Sequence, residues 1–213
     1  MKKNHIASFL VVFVLLFPSL ISAQLIKIGA GGGITQILGP ESLTDEISTD
    51  EDWGGAGFST EWNIGLIGKV DIPLIQITPR GFIFYHSFSA SKEFPEIETN
   101  PKIETSLSIL EMGLGAQYNF IPAPLGFDPY IALDISLNTF GDYTTNVNGE
   151  EFVSDGFSRF GGGIGLGTEV TIIPLINLDL YLSYKMFNLT GKEDGEETIS
   201  AVTLDAFIIF NFL

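Results

Sequence analysis

Apolar and polar residues alternate with a period of two along most of the chain after residue 24. Successive side chains of a strand point to opposite faces, so this period predicts β-strands rather than helices. One strand between 75 and 89 has an open register, because Pro79-Arg80-Gly81 allow a bulge that switches the two faces. The alternation is clear in seven further segments, at 26–34, 62–70, 110–120, 131–137, 160–172, 178–186 and 204–212.

Short turns and long polar loops alternate between these strands. Proline-containing turns fall at 72–75, 121–125 and 173–176, and the longer loops cover about 38–57, 91–105, 139–157 and 188–198. Strands of about ten residues, with short turns at one rim and long loops at the other, are typical of a transmembrane β-barrel. In lipid every backbone group must pair within the protein, so the sheet has to close. We predict an all-β, eight-stranded antiparallel up-and-down transmembrane β-barrel with short periplasmic turns and longer acidic extracellular loops.

The first 23 residues have the layout of a secretory signal peptide. Two lysines precede an apolar run over 6–21, and Ser22-Ala23 supply small residues before Gln24. The alternative is a membrane anchor, but the run is shorter than the ~20 apolar residues a spanning helix needs, and Pro18 interrupts its end. We expect cleavage after Ala23, which leaves 24–213 as the barrel domain.

The mature part would carry 26 acidic and 8 basic residues, a net charge of −18, which excludes a basic footprint for nucleic acid. The four long loops hold 18 of the acidic residues and only three lysines, so their net charge is −15. The chain has no cysteine, which excludes disulfides, zinc–thiolate sites and cysteine nucleophiles. Only His86 follows the leader, so a multi-histidine metal site within one chain is excluded as well.

The polar faces of the strands would line an interior just wide enough to be filled by side chains. Because isolated charges away from water are costly, we expect the charged side chains to form a paired network. That network is either a structural plug or a gated ion path, and Gly161, Gly163, Gly165 and Gly167 would then either pack against large side chains or leave room for water. The predicted lumenal residues are Lys27, Glu61, Lys69, Glu111, Asp134, Arg159, Glu169, Asp179, Lys185 and Asp205, with Arg80 as a further candidate.

Aromatic residues cluster near both predicted rims, as expected where amphipathic rings meet lipid headgroups. They are Tyr118, Phe120, Phe127, Tyr130, Phe210 and Phe212 at the short-turn rim and Trp62, Phe140, Phe157, Phe160, Tyr184 and Phe187 at the loop rim. Ordinary core aromatics of a soluble barrel are the alternative, which the polar opposite faces of the strands disfavour.

The last strand places Leu204, Ala206, Ile208, Phe210 and Phe212 on one face. With the strand pattern, the mature chain resembles the small bacterial outer-membrane barrels of the OmpA/OmpX-like class over nearly all of its length. The resemblance implies a place in the outer membrane of a double-membraned bacterium and recognition of this C-terminal strand by the barrel-assembly machinery. Leu213, after the last aromatic, departs from the class pattern. We expect outer-membrane lipid around a monomer, and neither a cofactor nor a metal.

Two local features allow functional interpretations. The acidic loops would either bind an extracellular partner or divalent cations, or simply keep the rim solvated, and they contain no EF-hand spacing. His86 lies near Ser87 and Ser89, and some outer-membrane barrels act on lipid acyl chains with a histidine and a serine. The residue two after His86 is Phe88, however, so the His-x-Ser pattern of the lipid A deacylase type is missing. We expect no enzyme and treat His86 as a rim residue.

Three functions remain open from the sequence. The first is a structural or surface-interaction role, such as envelope integrity or adhesion, for a barrel with a plugged lumen. The second is a narrow channel for small solutes. The third is a secreted lipocalin-like carrier, which would be lined mostly by apolar groups.

Overall fold

The computed structural model describes residues 25–48, 54–72, 75–95, 101–120 and 126–212. The predicted signal peptide, the Pro73 and Pro122 turns and Leu213 lie outside these residues. No helix in the described part is long and apolar enough to cross a membrane. The elements are β1 (Leu25–Gly39), α1 (Glu41–Thr44), β2 (Thr60–Asp71), β3 (Ile77–Glu93), β4 (Lys102–Asn119), β5 (Phe127–Phe140), β6 (Tyr143–Val147), β7 (Glu150–Ser154), β8 (Phe157–Ile173), β9 (Ile176–Thr190) and β10 (Ser200–Phe212).

Eight long strands close into one antiparallel barrel. Their order around the barrel is β1, β2, β3, β4, β5, β8, β9 and β10, and β10 pairs back onto β1. Each strand therefore has a hydrogen-bonded neighbour on both sides, which satisfies the backbone where water is absent. The predicted eight-stranded up-and-down barrel is confirmed.

The alternation of the sequence becomes an alternation between the outside and the inside of the barrel. Outward positions keep large apolar side chains exposed, for example Leu114 at 67% and Ile135 at 70%. Inward positions are buried and carry the buried charged side chains, together with apolar clusters such as that of Phe82, Phe84 and Phe207. This polarity is the reverse of that of a soluble barrel and suits a barrel surrounded by lipid.

Strand β3 keeps one register along its whole length. Its pairing with β4 runs without a shift from Ile77 to Glu93. Thr78, Arg80, Phe82 and Phe84 all point inward. The bulge considered at Pro79-Arg80-Gly81 is therefore absent, because proline keeps its outward position in the extended strand without breaking the ladder.

The loop rim carries a hairpin in a stretch that we predicted to be a loop. Strands β6 and β7 form a hairpin within the predicted loop 139–157, and β6 pairs with the outer end of β4. The hairpin turns at Asn148-Gly149, where both residues have positive φ values of 53° and 92°. Asn-Gly between alternating residues is a strong hairpin signal, so this element was readable from the sequence.

Apolar side chains close the outer end of the barrel. Residues 54–59, which precede β2, fold over the opening, and Ala56 and Phe58 among them are 2% and 1% exposed. Backbone hydrogen bonds from Ala56 and Phe58 to Ser42 and Leu43 hold the segment down. The cluster, here called the outer cap, consists of Ile37, Ala56, Phe58, Phe88, Leu107, Ile109, Phe140, Phe187, Ile199 and Ala201.

Candidate functional site in the barrel lumen

The charged groups nearest the short-turn rim form a chain of ion pairs. Lys27 Nζ lies 2.6 Å from Glu169 Oε1 and 2.7 Å from Asp71 Oδ2. Lys69 Nζ lies 3.1 Å from the other oxygen of Glu169 and 2.6 Å from Asp179. Lys69 and Asp179 are almost fully buried, so each needs the other to offset the loss of its hydration.

A second group of charges occupies the middle of the lumen. The Arg80 guanidinium binds both carboxylate oxygens of Asp134 through its Nε and Nη2. The Tyr181 hydroxyl donates to Asp134 Oδ2 at 2.9 Å, and the guanidinium lies 4.2 Å from the centre of the Tyr181 ring. A bidentate pair of this kind fixes geometry as well as charge. Arg80 therefore belongs to the lumenal network, as its inward position requires.

The inward glycines of β8 make room for two tyrosine rings. A Cβ on Gly165 would lie 2.6 Å from the Tyr181 ring, and one on Gly167 would overlap the Tyr130 ring. The Tyr130 hydroxyl in turn donates to Asp179 at 2.7 Å. Of the two interpretations of these glycines, close packing against large side chains fits Gly165 and Gly167.

A third group lies beneath the outer cap and contains His86. Lys185 Nζ is 2.5 Å from Glu111 Oε2, and His86 Nε2 lies 3.2 Å from the same oxygen. His86 Nδ1 is 2.9 Å from the hydroxyl of Thr35. Asn63 donates to both Thr35 and Asp205, at 3.0 and 2.9 Å.

His86 is not a rim residue, contrary to the expectation from the sequence. It is 0% exposed, and the rings of Phe88 and Phe187 pack against it. Ser87 and Ser89 lie on the opposite face of β3, since side chains alternate along the strand. The hydroxyl–imidazole–carboxylate order of Thr35, His86 and Glu111 was missed because the three residues come from three strands. Thr35 and His86 are both 0% exposed, so the hydroxyl and the imidazole are closed to solvent.

Two residues predicted to line the lumen do not join the network. Arg159 lies at the loop rim, where its Nη2 is 2.7 Å from Glu196 and 3.3 Å from Glu193. Glu61 is half-buried and makes no hydrogen bond or ion pair with another described residue. Both residues lie at the outer ends of their strands. The alternation puts them on the inward face, but at this height they are beside the loops rather than inside the lumen. The other eight residues lie inside, namely Lys27, Lys69, Glu111, Asp134, Glu169, Asp179, Lys185 and Asp205.

The outer face carries most of the predicted aromatic residues and the C-terminal strand. Leu204, Ile208, Phe210 and Phe212 are each about half exposed, at 51%, 45%, 46% and 52%. Three of the residues assigned to the belts point inward instead and are buried, namely Tyr130, Phe140 and Phe187. Their position in the alternation places them on the lumenal face, although their height along the strand matches the rims.

Comparison with known proteins identifies the fold alone. No protein-family model matches the chain, and no curated protein matches it. Neisserial surface protein A has a TM-score of 0.51 and 15% identity, over 89% of this chain and 96% of that one. Ail of Yersinia pestis has a TM-score of 0.52 and 9% identity, over 89% and 99% of the two chains. A major outer membrane protein of Thermus thermophilus has a TM-score of 0.57 and 10% identity, over 89% and 100%. The chain thus has the fold of small eight-stranded outer-membrane barrels.

Proposed function

We propose that this chain, built on the fold of small outer-membrane barrels, is an integral outer-membrane protein with a plugged lumen that acts at the cell surface. The observation that carries the proposal is its reversed polarity. Large apolar side chains cover the outside, while Lys69, Asp179 and Glu111 are buried and paired inside. A soluble carrier of an apolar ligand needs an apolar interior, so this polarity argues against the lipocalin-like alternative.

Filling of the lumen favours a structural plug over a channel. Ion pairs cross the lumen at three heights, through Lys69–Asp179, Arg80–Asp134 and Lys185–Glu111. The outer cap closes the loop end with buried side chains such as Phe58 and Phe88. A solute would have to separate several buried pairs in sequence, and each separation would leave buried charges without a partner.

The loop rim is the part of the molecule that we assign to surface interaction, in envelope integrity or adhesion. Strand β7 forms the free edge of the β6–β7 hairpin, and its Phe152 and Val153 are 56% and 54% exposed. Exposed apolar side chains on an unpaired edge are unusual unless a partner covers them. We place outer-membrane lipid around a monomeric barrel, and we assign the outward face of β10 to recognition by the barrel-assembly machinery.

Charge limits the kind of extracellular partner. Ail of Yersinia pestis is known in complex with sucrose octasulfate, a heparin analogue. Here the loops carry a net charge of −15, so a polysulfated partner would be repelled. We therefore propose a neutral or cationic partner at the acidic loops, with the β6–β7 hairpin as part of the contact.

Two measurements test the proposal. The outer-membrane fraction, extracted in detergent, should contain a protein that migrates faster on a cold gel when unheated than when boiled. Whole cells that display the protein should bind a host or abiotic surface, and Phe152→Ser with Val153→Ser should reduce that binding, whereas Thr144→Ala on β6 serves as the control. A soluble protein without a heat-dependent shift would overturn the membrane assignment. Equal binding by cells with and without the protein would overturn the surface role.

A further inference from the structure

A cavity of about 270 Å³ opens at the end of the barrel where β1 begins and β10 ends. Its walls include the first and the last strand, because Leu25 of β1 and Asn211 of β10 line it together. Its charged lining consists of Lys27 and three carboxylates, from Asp71, Asp128 and Glu169. One ammonium group therefore faces three carboxylates in the wall of this cavity.

The three carboxylates differ in the number of hydrogen-bond donors that they contact. Lys27 lies between Asp71 and Glu169, at 2.7 and 2.6 Å. Asp128 accepts one hydrogen bond, from Asn119 to its Oδ2 at 2.6 Å. Its Oδ1 is buried and has no hydrogen-bond partner among the described residues. Asp128 is thus the carboxylate in this cavity with a free acceptor.

Asn177 supplies an independent second acceptor. Its side chain is buried, with only 5% of the residue exposed, and it lines the same cavity. Its Nδ2 donates to Glu169 Oε1 at 2.5 Å, which fixes the amide orientation because a carboxylate can only accept. Its Oδ1 is left without a partner in the described part of the chain. Buried polar atoms are normally paired, so an unpaired oxygen on a residue that lines the cavity indicates a missing donor.

We propose that this cavity binds a primary ammonium group. An ammonium offers three N–H donors and one positive charge, which matches two free oxygen acceptors and a surplus of carboxylates. A metal ion suits the site less well, because the described residues contain no group of three or more carboxylate or imidazole ligands arranged around a common point.

The chain itself supplies the nearest candidate ammonium. Cleavage after Ala23, which the layout of the leader predicts, would make Gln24 the first residue, and its neighbour Leu25 lines the cavity. The α-amino group would then belong to the residue that precedes Leu25 in the chain, and its binding would tie the start of β1 to Asp128 on β5. A free periplasmic amine is the other source of the same chemistry.

The test compares mature protein that has a free Gln24 amine with protein in which glutaminyl cyclase has converted Gln24 to uncharged pyroglutamate. We expect cyclisation to lower the midpoint of the heat-dependent gel shift by about 2–4 °C, as a loss of about 1 kcal/mol does in a domain of this size. Methylammonium should restore the midpoint of the cyclised form, whereas tetramethylammonium, which has the charge but no N–H donor, should not. Asp128→Asn should abolish both effects, and Glu104→Gln at the opposite rim should leave both unchanged.

A second measurement does not depend on the folding of the variant. The signal of ¹³C-methylammonium should broaden and shift when cyclised wild-type protein is added. If cyclisation leaves the midpoint unchanged while methylammonium raises it in both forms, the site stands and its ammonium comes from a free amine. If neither cyclisation nor methylammonium changes the midpoint, and the methylammonium signal is unaffected, the proposal is overturned.

Discussion

Lys185 on β9 and Glu111 on β4 meet across the barrel with their charged atoms 2.5 Å apart, although β8 and β5 separate these strands in the sheet. Lys69 and Asp179 likewise join β2 to β9, which β1 and β10 separate. Backbone hydrogen bonds connect only neighbouring strands. The lumenal ion pairs therefore act as cross-braces between opposite walls, a role that the sheet itself cannot perform.

Removing one partner of the Lys185–Glu111 pair should destabilise the barrel more than removing both. Lys185→Met leaves Glu111 buried with His86 as its remaining partner, and an uncompensated buried charge costs about 3–5 kcal/mol. Lys185→Met combined with Glu111→Leu should recover most of that loss. The check is the free energy of unfolding in urea, measured by tryptophan fluorescence in lipid vesicles. Equal losses in the single and double variants would contradict the cross-brace role.

The wild-type barrel should be silent in planar bilayers. Glu111→Ala with Asp205→Ala should lower the thermal midpoint of the protein in detergent and leave it silent, because the outer cap still closes the loop end. A porin of known conductance serves as the positive control in the same bilayers. Steady openings of the wild-type protein would favour the channel interpretation, and an unchanged midpoint in the double variant would show that these carboxylates do not support the fold.

Valine at Gly167 should prevent correct folding. A Cβ at this position overlaps the Tyr130 ring, whose hydroxyl is bonded to the buried Asp179. Gly68→Val is the matched control, because Gly68 faces outward and the nearest atom to its Cβ is a backbone oxygen 4.0 Å away. The fraction of protein that shows the heat-dependent gel shift after refolding measures the difference. Equal refolding of the two variants would refute the packing role of Gly167.

The ion pair between Arg159 and Glu196, which anchors the loop between β9 and β10, should be lost only in strong acid. Although partial burial opposes ionisation, hydrogen bonds from Arg159 and Asn188 lower the pKa of Glu196 from about 4.5 to about 2. A lowered pKa means that this contribution to stability is complete above pH 4.5 and disappears as the pH falls through about 2. The amide of Glu193 donates to the Glu196 carboxylate at 3.1 Å, so its NMR chemical shift reports the titration.

Arg159→Gln provides the control for that titration. With the guanidinium gone, the midpoint seen at the Glu193 amide should move up towards 4.5, the ordinary value. Lys92→Gln should not move it, because Lys92 pairs with Glu46 instead. A midpoint near 4.5 in the wild-type protein would show that Arg159 and Glu196 are not held together in solution.

The barrel and the face of most residues were predictable because a strand places alternate side chains on opposite sides. That rule alone puts Lys27, Lys69 and Glu169 inside and Leu114 and Ile135 outside. The alternation rule failed where the position of a residue depended on its height along the strand as well as on the face of the strand. Arg159 has inward parity, but its strand starts at the loop rim, where Glu193 and Glu196 lie within reach.

By itself, the sequence determined the number of strands in the barrel, their antiparallel order and the polarity of the two faces, since these follow from local alternation and from the positions of turns. Only the tertiary structure decided which charges meet. Closure of the barrel staggers each strand against its neighbours. This stagger sets the heights at which Arg80 pairs with Asp134 and Lys185 pairs with Glu111. Such pairs span strands far apart in the chain, and no local pattern encodes their heights. The same closure buries His86 beneath Phe88 and Phe187.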